Sequence, residues 1–302
     1  MSGRVISLLP SATEIVCALG AREHLVGVSH ECDFPDEVHG LPVLTRSRIG
    51  NEASSRAIDS AVRAVITDAL SIYTVDERRL AELAPTLIVT QDLCEVCAVS
   101  LEDVRSAVAR LAAREAVEIV SLRPTRLGDV LSDVETVARA LGVPERGRAL
   151  RRELEARIAV IAERARAAKH RPRVATVEWL DPIMLGGTWM PELIELAGGV
   201  SLGAEPGGPA PTVTLDELRT LAADVILVKP CGFGLARTLE EPELVAPLRT
   251  AAPRVLLSDG NAFFNRPGPR LVESLEILAA AVHPELFPDF VAKHRAVLVL
   301  PS

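Results

Sequence analysis

A chain of 302 residues, 48% of them hydrophobic, is long enough for two α/β lobes with separate cores. Its net charge of −8, with no Lys/Arg run interleaved with aromatics, argues against a phosphate-backbone partner, so no nucleic acid is expected. No apolar run reaches the roughly 18 residues of a membrane-spanning helix, so no membrane insertion is expected either.

The N-terminal stretch MSGRVISLLP lacks the apolar core and small-residue cleavage site of an export signal. Residues 5–9 read instead as a first strand. The chain is expected in the cytoplasm, and in the periplasm or outside the cell only if a leader has been removed. An apolar helix follows at 15–19, closed by Gly20, with Ser11 or Thr13 as its cap. A second strand at 25–29 runs into His30-Glu31-Cys32-Asp33-Phe34-Pro35. Residues 35–55 are rich in Pro, Gly and polar groups and read as loop. Helices are expected at 55–69, 76–83 and 101–113, and strands at 86–90 and 117–121. The strand at 86–90 leads into Gln91-Asp92-Leu93-Cys94-Glu95-Val96-Cys97.

A long helical span at 126–170 organises the middle of the chain. Leu127, Val130, Leu131, Val134, Val137, Ala138 and Leu141 recur at helical spacing and make one buried stripe. Gly142 and Pro144 break it, and Leu150, Leu154, Ile158, Ile161, Ala165 and Ala168 continue on a second helix. About 24 residues at ~1.5 Å each give a rod of ~36 Å, close to the width of a domain. This predicts an N-terminal lobe at 1–125, a rigid helical strut at 126–171 and a C-terminal lobe at 172–302, with a cleft between the lobes.

The second lobe opens with a strand at 173–177, followed by Glu178-Trp179-Leu180-Asp181-Pro182 and Gly186-Gly187-Thr188-Trp189. A helix to Ala197 ends at Gly198-Gly199, and residues 203–212 read as loop. A helix at 215–221 and a strand at 225–228 lead to Lys229-Pro230-Cys231-Gly232-Phe233-Gly234. A strand at 254–257 ends in Asp259-Gly260-Asn261-Ala262-Phe263-Phe264-Asn265, and helices at 270–282 and after Pro284 close the chain. One internal echo relates the lobes: residues 76–89 line up with 215–227, each an acidic-start helix, a tight turn, a buried strand and a cysteine-bearing loop. Alternating helices and strands imply α/β lobes with parallel sheets, whose ligands bind beyond the carboxyl ends of the strands.

Most unusual residues directly follow strands. Of five cysteines, Cys17 lies mid-helix and reads as packing, while Cys32, Cys94, Cys97 and Cys231 sit in post-strand loops. An odd count in a long chain is no secreted disulfide framework. Cys94-x-x-Cys97 with Cys32 and Cys231 could hold a metal ion or an iron–sulfur cluster, or the four could pack as small apolar side chains; both readings stay open. His30 is a ligand candidate, including for the cobalt of a corrinoid, or a turn residue bonded to loop backbone. With aromatics at only 3%, Trp179, Trp189, Phe233, Phe263, Phe264 and Tyr73 are candidate walls for a flat, mostly apolar ligand. Trp189 reads equally as an anchor for the helix after it, and one ring of Phe263-Phe264 is expected to pack inward. No G-x-G-x-x-G, P-loop or G-x-S-x-G is present, and Ser11 has no histidine nearby. No enzyme is expected.

The stretch from Arg4 to Glu14 (RVISLLPSATE) with Leu25 to Ser29 (LVGVS) resembles the opening of the cobalamin-binding proteins of ABC importers. Leu83 to Val89, the segment from Gly186-Gly187 to Gly198-Gly199, and Phe263-Phe264 with Pro269-Arg270 extend the resemblance over nearly the whole chain. It is similar to the helical-backbone class, class III, of substrate-binding proteins. The resemblance implies two Rossmann-like lobes flanking one rigid helix, with a corrinoid, haem or iron–siderophore between them. It implies lining loops at Pro10, Ser11 and Thr13, at Glu31, Asp33 and Phe34, at Trp179 and Asp181, and at Phe263-Phe264. The class carries a permease-facing glutamate on each lobe. The matching positions here are Arg78, or its neighbour Glu77, and Asn265, which argues against docking onto an ABC permease. The expected function is non-catalytic binding of cobalamin or a related corrinoid or metal chelate. The alternatives are a metal- or iron–sulfur-cluster (chelatase-like) protein and an importer component.

Overall fold

The structure is a computed structural model, and it describes residues 3–48, 53–67, 73–91 and 117–299. Two units emerge: the first comprises Met1–Ala53, Ala57–Pro124 and Gly128–Glu153, and the second Ser54–Arg56, Thr125–Leu127 and Leu154–Ser302. The expected helix at 101–113 and the loop carrying Cys94 and Cys97 lie outside the described residues.

In the first unit, β1 (Val5–Ser7), β2 (Leu25–Val28), β5 (Leu87–Gln91) and β6 (Glu118–Leu122) form a parallel sheet in the order β2-β1-β5-β6. Between them in sequence, β3 (Thr45–Ser47) and β4 (Tyr73–Val75) pair antiparallel. Thus 35–55 is not all loop: three of its residues gain order by pairing with a partner some thirty positions away, which local polarity does not reveal. Ile6, Leu8, Leu44, Tyr73, Leu80 and Ile88 pack as one core cluster. Tyr73 therefore stands in a strand over the core, not in a post-strand loop.

The second unit holds β7 (Arg173–Leu180), β8 (Ile183–Leu185), β9 (Val200–Ser201), β10 (Thr212–Val213), β11 (Val225–Val228), β12 (Arg254–Ser258) and β13 (Leu298–Val299). The strands β7, β11 and β12 are parallel neighbours, β9 joins β7 in parallel, and β8 and β13 add antiparallel. The unbroken apolar runs of β11 and β12 fit strands covered on both faces. The helix Leu271–Val282, buried along almost its whole length, belongs to this unit.

The echo between 76–89 and 215–227 is a structural repeat in detail. The helix Glu77–Leu83 is capped by Asp76, whose side chain accepts from Arg79 N, and the helix Leu215–Thr220 by a capping box of Thr214 and Glu217. Each is followed by an alanine in the left-handed region, Ala84 at φ 39° and Ala222 at φ 47°. At the start of each first strand an arginine reaches back to that turn. Arg4 Nε donates to Leu83 O at 2.6 Å, and Arg173 Nη2 to Leu221 O at 2.6 Å. The two backbone N–H groups donate to Thr86 Oγ1 at 3.0 Å and Asp224 Oδ2 at 2.7 Å.

The helical span breaks where glycine and proline place the break: helices run Leu127–Ala140 and Pro144–Ala165, with Gly142 at φ 71° between them. Of the second stripe, Leu154, Ile161 and Ala165 are buried, while Ala168 lies beyond the helix end. The first unit takes this helix up to Glu153 and the second from Leu154.

Candidate functional site

In a parallel sheet the carboxyl edge opens to ligand where the strand order reverses. In the first unit that point lies between β1 and β5, because β1 continues to β2 on one side and β5 to β6 on the other. The helix after β1 spans Pro10–Ala18, starting earlier than expected, and its cap residue Leu9 makes no side-chain hydrogen bond. Pro10 supplies a fixed φ at the first turn and needs no donor there. Ser11 and Thr13 are therefore inside the helix rather than capping it, 2% and 0% exposed. Thr13 Oγ1 lies 2.8 Å from Ser7 Oγ and 3.1 Å from Cys32 Sγ, while Ser11 Oγ is buried without a hydrogen-bond partner. Pro10 is half-buried.

His30, after β2, is fixed by one side chain. Its backbone N donates to Thr45 Oγ1 at 3.0 Å, and its Nδ1 lies 2.6 Å from the same oxygen. Its Nε2 is buried without a hydrogen-bond partner, and burial lowers its pKa, which favours the neutral ring. The ring sits 5.2 Å from that of Tyr73, whose hydroxyl donates to Glu31 Oε1 at 3.0 Å. Asp33 and Phe34 are exposed. Cys17 is packed in its helix, where burial pushes its thiol up to about 11, too high for reactivity near neutral pH.

In the second unit β9 and β11 flank β7 on opposite sides, so the order reverses between β7 and β11. β7 runs on to Leu180, which places Trp179 within the strand rather than after it; pairing with β8 extends the ladder beyond Val177. The Trp179 ring is 5.2 Å from that of Phe233, and its Nε1 donates to Asp181 O at 3.1 Å. The Arg237 guanidinium lies 4.3 Å from the centre of the Phe233 ring. The Asp181 carboxylate accepts two bonds from Arg56, at 2.7 and 3.2 Å.

The remaining aromatics divide. Trp189 is buried and donates through Nε1 to Phe264 O at 2.9 Å, so it anchors structure rather than facing a ligand. Phe264, at φ 68°, is fully buried, with its N–H donating to Ser274 Oγ. Phe263 remains half-buried, edge-on to His294. Cys231 is exposed, and its N–H donates to Glu178 O at 2.9 Å. Among the described residues no group of three or more His, Cys, Asp or Glu is placed to hold a metal ion.

Sequence reasoning passed over one constellation at this edge. Lys229 is 0% exposed, and its Nζ donates to Glu178 Oε2 at 3.0 Å and to Asn265 Oδ1 at 2.9 Å. A lysine directly after the all-apolar strand VILV was the available signal, since a buried lysine demands an acceptor.

The family model described as "Periplasmic binding protein" matches residues 5–247. The chain belongs to the periplasmic binding protein family. A vitamin B12-binding protein of Yersinia pestis (strain Pestoides F) is 24% identical over 281 residues, covering 89% of this chain and 82% of that one. A periplasmic haem-binding protein from Pseudomonas aeruginosa superposes with a TM-score of 0.70 at 20% identity, covering 94% of each chain. The periplasmic vitamin B12-binding protein BtuF of Vibrio cholerae gives 0.64 at 18% identity, covering 96% of this chain and 98% of that one. The fold is thus that of the class III binding proteins, as the sequence resemblance implied, and the chain is a non-catalytic solute-binding protein of the ABC-importer type. With that membership, the ground for setting a permease partner aside falls away.

Proposed function

We propose that this binding protein takes up cobalamin or a closely related corrinoid at its post-strand loops. The observation that carries this reading is the half-buried Trp179 packed on Phe233 where the strand order reverses between β7 and β11, with half-buried Phe263 in the loop after β12. A broad macrocycle needs apolar walls with a few polar groups at fixed places, and this edge supplies both. In the first unit, the His30 ring is favoured neutral by burial, and its Nε2 has no hydrogen-bond partner, so in the Nδ1–H tautomer it could serve as a metal ligand. The B12-binding relative supports the corrinoid; the haem-binding neighbour makes haem the competitor.

Calorimetry and visible spectra with cobalamin, cobinamide and haemin test the proposal. Micromolar or tighter corrinoid binding with a band shift is expected; heat and shift with haemin alone transfer the protein to the haem class. An ABC permease is the proposed partner, tested by co-purification from the native membrane. A permease partner would place the chain outside the cytoplasmic membrane, which fractionation against a periplasmic marker checks.

A further inference from the structure

We infer that Glu178, pinned by buried Lys229, is the specificity-determining acceptor of the second unit, selecting ligands whose periphery carries neutral hydrogen-bond donors, such as primary amides, over ligands that carry carboxylates. The inference rests on the corrinoid reading above and deepens it.

The pair stands at the strand-order reversal of this unit. Val228 pairs with Val177, so Lys229, just past the end of β11, comes beside Glu178 near the carboxyl end of β7. Every part of the arrangement serves to hold Glu178. Lys229 Nζ occupies Oε2, and Asn265 is itself fixed, its Nδ2 donating to Lys229 O at 3.2 Å and Gly260 O at 2.8 Å. Gly260 permits this closeness: a Cβ there would lie 2.1 Å from Pro230 O and 2.5 Å from Lys229 O. The Glu178 side chain is 23% exposed, and its Oε1 has no hydrogen-bond partner among the described residues. What reaches solvent is therefore a fixed anionic oxygen at the carboxyl edge of the sheet.

The fold itself does not require the pair. The internal repeat aligns Leu9 with Glu178 and Gln91 with Lys229, so the first unit builds the same reversal point with no charge at either position. A buried lysine–glutamate pair costs desolvation that apolar residues avoid. Its presence in one unit alone points to a task rather than to architecture. A fixed carboxylate oxygen accepts from an amide N–H in a charge-assisted bond, and repels a ligand carboxylate at the same place.

Two measurements test this. First, the wild-type chain is titrated with cobinamide and with cobyrinic acid, whose amides are replaced by carboxylates. A preference of ~10-fold or more for the amide form is expected, the scale of one matched against one unmatched polar contact. Parity, or a preference for the acid, overturns the inference. Second, Glu178→Gln keeps the shape and an acceptor for Lys229, and is expected to cut that preference to within ~3-fold. An unchanged preference in a variant that melts as wild type does overturns the assignment to Glu178 while leaving corrinoid binding intact. If the variant does not fold, the wild-type titration decides alone. If the wild type binds neither corrinoid, the corrinoid reading itself falls and takes this inference with it.

Discussion

Asp133 lies on the helix Leu127–Ala140 with its Oδ2 buried and without a hydrogen-bond partner, and burial, helped by nearby Asp129, pushes its carboxyl up to about 7. The folded chain thus keeps this proton longer than the unfolded chain does. Stability from this group is full below about pH 4, the ordinary carboxylate value, and is lost as the pH rises toward 7. Asp133→Asn removes that loss. The variant is expected to match wild type near pH 4 and to exceed it at pH 8 by ~2 kcal/mol, a figure already reduced for solvent screening. Urea melts at the two pH values check it; equal gains at both would point to helix propensity instead. None of this shows in the sequence, where Asp133 reads as one more polar residue between two apolar positions. The same holds for Thr13 and Trp189: their identities mark them as candidates, but only neighbours distant in sequence take up their polar atoms.

At the scale of elements, the two arginines that reach back from the first strand of each unit make a paired test. Arg4→Ala and Arg173→Ala each leave the carbonyl at a helix end, of Leu83 or Leu221, without its charged donor. Each is expected to cost about 1 kcal/mol, by similar amounts because the contacts are alike. Denaturant midpoints measure both, and a loss at one position only would separate the two turns energetically. The contact between the two middle helices carries a second prediction. A Cβ on Gly147 would lie 2.4 Å from Ala138 Cβ and 3.3 Å from Glu135 Cα, so these helices meet through a glycine. Gly147→Val is expected to destabilise by roughly 2 kcal/mol from overpacking, although valine is usually the better helix residue. A thermal melt equal to wild type would mean the helices part freely.

For the molecule as a whole, a ligand that binds only the folded chain must stabilise it. At a corrinoid concentration ~100 times the dissociation constant the gain is about 2.7 kcal/mol, visible as an upward shift of several degrees in the melting temperature. Haemin at the same multiple of its own constant gives the same shift if it binds the same state, so the concentration at which each shift begins ranks the two ligands. Membership in the periplasmic binding protein family is a property of this scale. It rests on a match from residue 5 to residue 247, not on any single motif.

Periodicity, punctuation and order along the chain sufficed to read the α/β class, the parallel strands, the break between Leu127–Ala140 and Pro144–Ala165, and the family. These depend on local preferences and on apolar spacing, which neighbours in sequence carry. Short strands such as Thr45–Ser47 and Leu298–Val299, which of Phe263 and Phe264 turns inward, and the meeting of Glu178 with Lys229 were beyond that reach. Each depends on a hydrogen-bond or packing partner tens of residues away, and burial turns such partners from optional into obligatory.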